Sequence, residues 1–369
     1  MIESNIEFLE RILKIYKLPY TFEKGNKSKH WQVYNYRNYD FLNLLNFRRK
    51  KALSHGLDDQ YKVDYFFLKK VLNQIDKKFL LDNLLDLNIG NLSNVKKIKG
   101  KIFDYNKIIH ICWIKLMIDK IPNFKKINDY CEIGQGYGSF TDLILKNTNS
   151  RVLLIDLPEA NLMTSYYLKN LYPNKKFFLY DQYIIKGKLS YEDYKSNEII
   201  ILPPEAKLDE KIKFELIVSA RSFMEMKSKY VKNYFNLIHN TINDEGFFLN
   251  INRYQKNTSG ENIIFDEYPY AKKTWEVILS QTSFNQDLIH FLIVKKKVSD
   301  TLDLELQEIK KKRNNLKSTQ KVNIEINFLN KTKIIVRKIF GNSFLNFLSM
   351  IMLKLNFDKL SKKIKYNDD

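Results

Sequence analysis

Cysteine is almost absent. Cys112 and Cys131 are the only two in 369 residues, too few for a disulfide framework, so a reducing, cytoplasmic location is expected. No charged-then-apolar stretch with a small-residue cleavage site opens the chain, so no secretory signal is expected. RNP-like, zinc-knuckle and helix-turn-helix patterns are missing, which leaves nucleic acid without a dedicated reader. No H-x-H pair or cluster of carboxylates suggests a metal site, and no internal repeat is visible. The longest apolar stretch, 340–357, is broken by Asn342, Ser343, Asn346 and Lys354. It reads as an amphipathic helix, packed on the protein or lying at a membrane interface, rather than a span. Glycine is scarce as well, yet three of its 11 residues fall at 134, 136 and 138.

What is present describes a folded protein, with 44% hydrophobic and 14% aromatic residues. The formal charge of +20 invites a nucleic-acid partner. However, the lysines are spread along the whole chain among Ile, Asn, Phe and Tyr, as an AT-rich coding bias would place them. A generic basic surface is the simpler reading, compatible with anionic glycans, nucleotide sugars or membrane surfaces.

Three regions follow from patterning. Residues 1–125 are mostly helical, with apolar positions at helical spacing in "IEFLERILKIY", "DYFFLKKVLNQI" and "YNKIIHICWIKLMIDKI". Between the first two, an aromatic-rich stretch carries Trp31, Tyr34, Tyr36 and His55 and suits either a substrate-facing cap or core. Residues 126–298 alternate short apolar strands with helices and predict a parallel sheet closed by an antiparallel hairpin at 274–297. Strand positions one, two, four and five fall on "YCEI", "RVLLIDLP", "KFELIVSA" and "FFLNIN", with Asn243–Gly246 as a turn before the last. The third position is open between "KFFLYD" (176–181) and "EIIILPPE" (198–205). Residues 299–369 read as a charged linker, a strand at "KVNIEINFL" and the apolar segment above.

The stretch "NDYCEIGQGYGSFTDLILK" (128–146) sets Gly134, Gly136 and Gly138 between a strand and a helix, where glycine lets backbone N–H groups approach a cofactor. In the dinucleotide fingerprint the third glycine comes three residues after the second; in this chain it comes after two. Glu132, two residues before the first glycine, suits a cofactor with an amino group and a sulfonium better than one with phosphates. Twenty residues beyond Gly136, Asp156 ends the second strand, where an acid accepts ribose hydroxyls or caps a helix. Pro158 begins that helix without needing an N–H. Together these residues favour S-adenosylmethionine over NAD.

On "EIGQGYG", "IDLPEA", "SARSFMEM" and "YPY" with Trp275, the chain resembles class I S-adenosylmethionine-dependent methyltransferases over roughly residues 30–296. More narrowly, it is similar to the sugar O-methyltransferases of bacterial surface-glycan clusters. The resemblance implies an α/β, Rossmann-like sheet of seven strands, parallel with a terminal antiparallel hairpin. It also implies that Gly134, Gln135, Gly136 and Gly138 wrap the methionine part of the cofactor above Glu132. Asp156 would hold the ribose, Leu157 would pack on the adenine, and Asp181 or Glu205 would meet the adenine edge, depending on which segment is the third strand.

Methyl transfer to a hydroxyl needs alignment, exclusion of water and a proton acceptor. Glu225 leaves strand four at the active-site end, but Ser222-x-x-Glu225 is also a capping box. Arg221 suits an acidic sugar or a phosphate. His55 is a base candidate on a loop, whereas His110 in its apolar helix reads as core. His239 stands near a helix end where a cation is favoured. Tyr254, Tyr268 and Tyr270 suit a sugar-stacking rim.

The expectation is a cytoplasmic methyltransferase with a helical N-terminal cap, acting on a sugar of a nucleotide-linked or lipid-linked glycan precursor. Peripheral membrane contact through the C-terminal segment is compatible with it, and nucleic acid is not expected as a partner. An RNA methyltransferase, a non-catalytic glycan-assembly scaffold and, more distantly, an NAD-dependent reductase are the alternatives.

Overall fold

The computed structural model describes residues 5–18, 39–49, 63–93, 95–257, 260–284 and 286–316. The chain divides into two compact units, Met1–Ile309 and Lys310–Asp369. In the second unit the described residues, 310–316, are the end of a helix. His55, the aromatic stretch around Trp31, the strand expected at "KVNIEINFL" and the apolar segment 340–357 all lie outside the described residues.

Ahead of the sheet come α1 (Asn5–Ile15), α2 (Phe41–Leu45), α3 (Tyr65–Leu72), α4 (Lys77–Asn83) and α5 (Tyr105–Lys120). An acid caps each of the last four: Asp40, Asp64, Asp76 and Asp104 accept a backbone N–H from the first turn. A two-stranded hairpin, Lys96–Ile98 with Lys101–Phe103, precedes α5 and has no clear signal in the sequence.

The sheet consists of β1 (Asp129–Ile133), β2 (Arg151–Ile155), β3 (Phe177–Phe178), β4 (Ile199–Leu202), β5 (Phe214–Ala220), β6 (Ile242–Arg253), β7 (Trp275–Ser283) and β8 (Gln286–Lys296). Their order is β7-β8-β6-β5-β1-β2-β4-β3, and only β8 runs against its neighbours. Intervening helices are α6 (Ser139–Asn147), α7 (Pro158–Leu171), α8 (Tyr180–Lys186), α9 (Tyr191–Ser196) and α10 (Ser228–Thr241). Both faces are covered, so β2 and β4 read as nearly continuous apolar runs, and β1, β2 and β4 are all buried.

One open position is decided and two expectations change. The third-strand position beside β2 belongs to Ile199–Leu202, while "KFFLYD" yields a two-residue edge strand and then turns into α8. The expected turn at Asn243–Gly246 lies inside β6, because Ile242 already pairs with Phe214. The extra residues make a bulge, with Glu245 left-handed at φ 63°. Finally, the charged "linker" is helical over residues 301–316 (α11). Leu302 and Ile309 are buried, and Ser280 Oγ donates to Glu305 Oε1 at 2.6 Å. A stripe at 302, 306 and 309 holds this helix despite its charge.

Candidate active site

The turn after β1 is built against the next strand and helix. Gly134 N–H donates to Ile155 O at 2.8 Å, and Thr164 Oγ1 of α7 donates to Gly136 O at 2.7 Å. Gly136 N–H donates to Asp156 Oδ2 at 2.9 Å, and Leu157 N–H donates to Asp156 Oδ1 at 2.7 Å. The carboxylate thus accepts one backbone donor on each oxygen and retains acceptor positions for hydroxyls. Two glycines serve opposite ends. At Gly134 (φ 76°) a Cβ would land on Ser222 Oγ, whereas at Gly136 (φ 61°) it would meet nothing within 4 Å. The first glycine admits the protein and the second faces open space.

Glu132 lies under this turn, 1% exposed, accepting Tyr130 Oη–H at 2.8 Å and Thr141 Oγ1–H at 2.6 Å. Burial raises its pKa to about 7 against the pull of those two donors. Burial likewise raises Asp156 to about 7, opposed by its two backbone donors. Gln135 turns its amide toward α7, where Nε2 donates to Asn161 Oδ1 at 2.8 Å; its buried Oε1 has no partner among the described residues. Gly138 starts α6 without a side-chain cap, and Leu157 is half-buried at the N-cap of α7.

Of the two adenine-edge candidates, Glu205 follows the strand that pairs with β2. Asp181 is displaced one strand outward to the start of α8, where Arg11 grips it with Nε and Nη2 at 2.7 and 2.9 Å. Asp156 and Glu205 share one end of the sheet, and after burial both carboxylates help push up the pKa of Tyr234.

"SARSFMEM" reaches the same place by a different route from a capping box. Ser222 makes no cap hydrogen bond, because the next long helix begins only at Ser228. Its hydroxyl packs on Gly134 instead. Glu225 is paired with Lys256 Nζ at 2.8 Å, 18% exposed. Arg221 sits at the end of β5 with left-handed backbone, φ 62°, its N–H donating to Ile251 O at 2.6 Å. That conformation is costly for a branched-off side chain and is held by the neighbouring strand.

The tyrosine rim does not form as expected. Tyr254 and Tyr268 are 3% and 6% exposed and pack in the core against His290 and Phe235. Tyr270 Oη accepts from Asn250 Nδ2 at 2.7 Å. His239 is no cation site either: it accepts Ala271 N–H at 3.3 Å, and burial and then Lys296 lower its pKa. His110, expected as core, is half-buried beside the glycine turn, with Nδ1 at 3.3 Å from Ser139 Oγ.

The wall behind the turn escaped sequence reading. Lys107 Nζ, 1% exposed, donates to Ser139 O at 2.8 Å and to Asp142 Oδ2 at 2.5 Å. Arg48 pairs with buried Asp104 and lies 4.9 Å above the Tyr137 ring. A charged residue inside an apolar helix was the available signal for Lys107; Arg48 had none.

The strand order decides the architecture: one antiparallel strand inserted near the end of an otherwise parallel sheet. The fold is that of the class I methyltransferases. It carries one additional edge strand, β3, beyond the expected seven. No family model and no curated protein matches the chain. Among solved structures it is similar to magnesium protoporphyrin IX methyltransferase from Synechocystis PCC 6803 with bound SAM, at 7% identity and TM-score 0.36, over 52% of this chain and 80% of that one. It is also similar to the N-methyltransferase NodS from Bradyrhizobium japonicum WM9 in complex with S-adenosyl-l-homocysteine, at 14% identity and TM-score 0.31, over 51% and 85%. The mitomycin 7-O-methyltransferase MmcR matches at 10% identity and TM-score 0.33, over 52% and 57%.

The residues present fit the cofactor that the sequence resemblance implies. Open space above Gly136, spare acceptor positions on Asp156 and a buried acid under the turn suit an adenosine group with a cationic tail. The raised acids have a consequence. A carboxyl whose pKa is raised on folding binds more protons folded than unfolded, so its stabilising effect is lost as pH climbs from its unfolded value toward 7. For Glu132 and Asp156 that window runs from the ordinary values of 4.5 and 3.8 up to about 7. The cofactor-free protein should melt lower at pH 7.5 than at pH 5.5, and Glu132→Gln should flatten the slope. A slope in Glu132→Gln equal to that of the parent would show that Glu132 is not raised.

Proposed function

We propose that the protein is an S-adenosylmethionine-dependent O-methyltransferase acting on a sugar hydroxyl of a nucleotide-linked or lipid-linked glycan precursor. The observation that carries the cofactor half is the contact between Gly136 N–H and Asp156 at the edge of open space. When bound, the cofactor supplies an activated methyl group on a sulfonium centre. The chain supplies its grip: Asp156 for the ribose hydroxyls, Leu157 as an adenine floor and Glu205 at the adenine edge, with negative charge from Glu132 beneath the turn. The acceptor half rests on the motif resemblance; what supports it is the packing of Ser222, between Arg221 and Glu225 in the chain, on Gly134. Arg221 suits the phosphate of an activated sugar.

Transfer of labelled methyl from S-adenosylmethionine to a panel of UDP-, GDP- and dTDP-linked hexoses, run beside total RNA, tests the reading. Methylated sugar supports it, whereas label in RNA assigns the alternative acceptor. Binding without turnover on any arm marks a scaffold. Asp156→Ala should weaken S-adenosylhomocysteine by about 1.5–3 kcal/mol in calorimetry, the scale of hydrogen bonds to a charged group. Because Glu132 and Asp156 ionise near pH 7, affinity for the cationic cofactor should rise between pH 6 and 8. An affinity independent of pH would separate both acids from the site.

A further inference from the structure

His110 lies on α5, ahead of every cofactor motif. Its ring stacks on Trp113 (centroids 5.3 Å apart) and meets the edge of Phe140 at 5.7 Å, so its plane is fixed. Nδ1 faces Ser139 Oγ at 3.3 Å, and Ser139 directly follows the last glycine of the turn. One helical turn earlier, Lys107 holds the carbonyl of the same serine. Trp113 in turn donates Nε1–H to Ser283 Oγ, at the carboxyl end of β7, at 3.3 Å. The carboxyl ends of β1 and β7 therefore approach each other around this imidazole, on the side where doubly wound sheets bind ligands. A core histidine would be enclosed with both nitrogens satisfied, as His290 is by Ser280 and Tyr254. His110 is half-buried, and its Nε2 has no hydrogen bond among the described residues.

We propose that His110 is the catalytic base that receives the proton of the acceptor hydroxyl, with Ser139 as its positioning residue; this rests on the methyltransferase reading above. Nδ1–H donating to Ser139 Oγ leaves the Nε2 lone pair free. The hydroxyl proton passes to Nε2 as the acceptor oxygen takes the methyl group, the C–S electron pair stays on sulfur, and the imidazolium later releases its proton to solvent. Burial, then Lys107, Arg221 and Arg48, hold the His110 pKa well below the ordinary 6.5. The ring is therefore unprotonated at neutral pH, at some loss of basicity. The phosphate of an activated sugar acceptor placed beside Arg221 offsets those cations and restores basicity once the acceptor is bound.

Two measurements on the full chain test the assignment. The first is carbethoxylation by diethyl pyrocarbonate mapped by mass spectrometry, with fully enclosed His290 as the inert reference. His110 should react at a rate unchanged between pH 6 and 8, and S-adenosylhomocysteine should slow it severalfold; a His110 as inert as His290, or one unaffected by S-adenosylhomocysteine, overturns the proposal. The second is His110→Gln with whichever hexose acceptor the panel identifies. kcat should fall at least about a hundredfold, within the range typical of general bases, while the S-adenosylhomocysteine Kd stays within about twofold. A smaller fall in kcat, or an equal loss of cofactor affinity, also overturns it. If no acceptor is methylated, the function reading fails by itself and the carbethoxylation result alone decides for or against His110 as the exposed neutral imidazole.

Discussion

Gly136→Val should abolish measurable cofactor binding while leaving a folded protein. A Cβ at this position meets nothing within 4 Å, so no protein atom has to move to admit it. The backbone there is left-handed, φ 61°, which costs a residue with a side chain about 1–2 kcal/mol, and β-branched valine sits at the upper end. That is a modest part of the 5–15 kcal/mol typical of a folded domain. What the valine occupies is the open space beside the Asp156 carboxylate, so the loss falls on the ligand. Calorimetry with S-adenosylhomocysteine should show affinity reduced at least a hundredfold, with a melting temperature within several degrees of the parent. Retained affinity would move the cofactor site away from this turn. The neighbouring Gly134→Ala should behave in the opposite way, because its Cβ collides with Ser222 and the fold itself must yield.

Asp142→Ala should be the most destabilising of the single changes considered. Asp142 is fully buried at the first turn of α6 and receives hydrogen bonds from Lys107 Nζ and from Tyr172 Oη, the latter at 2.7 Å. Lys107, itself 1% exposed, would be left as a buried cation with only the Ser139 carbonyl as acceptor. Breaking such a pair from one side typically costs about 3–5 kcal/mol, because the remaining charge has lost its compensation. Even with its partner, burial already lowers the Lys107 pKa to about 8. In urea denaturation the midpoint should fall sharply without a change in slope. The double variant Lys107→Met with Asp142→Leu should regain most of the loss, since removing both charges removes the desolvation cost as well. A single variant that unfolds at the parental midpoint would mean that water reaches the pair.

The sheet was legible in the sequence because its strands are short apolar runs bounded by polar turns and each alternates with a helix. The turn after β1 was legible for a different reason: Gly134, Gly136 and Gly138 all take positive φ, a backbone demand that leaves few alternatives to glycine. "KFFLYD" left the third strand open because β-favouring aromatics compete there with a good helix start at Tyr180, and the helix won after two residues. The capping box at Ser222 misled because the same spacing serves a short 3-10 turn whose serine is claimed by Gly134. His110 was hidden by its neighbours. An apolar helix buried nearly all round has no periodicity to mark the one position that meets the mouth of the sheet, and only tertiary contact with Ser139 separates it from core.

The two-residue strand β3 limits how much of the sheet edge is left to pair. A parallel sheet ending on Ile199–Leu202 would expose a row of unpaired amides flanked by isoleucine, a template for edge-to-edge assembly. Phe177 and Phe178 cover part of that ladder and stop, so the outermost strand is too short to recruit another. Phe8 of α1 packs on Phe177 with ring centroids 5.0 Å apart, Lys169 Nζ sits over the Phe177 ring, and Arg11 fastens α1 to Asp181 just beyond it. The helix α1 thus covers the sheet edge, and through Tyr16 Oη, 3.2 Å from Ser165 Oγ, it also reaches α7, which holds the glycine turn.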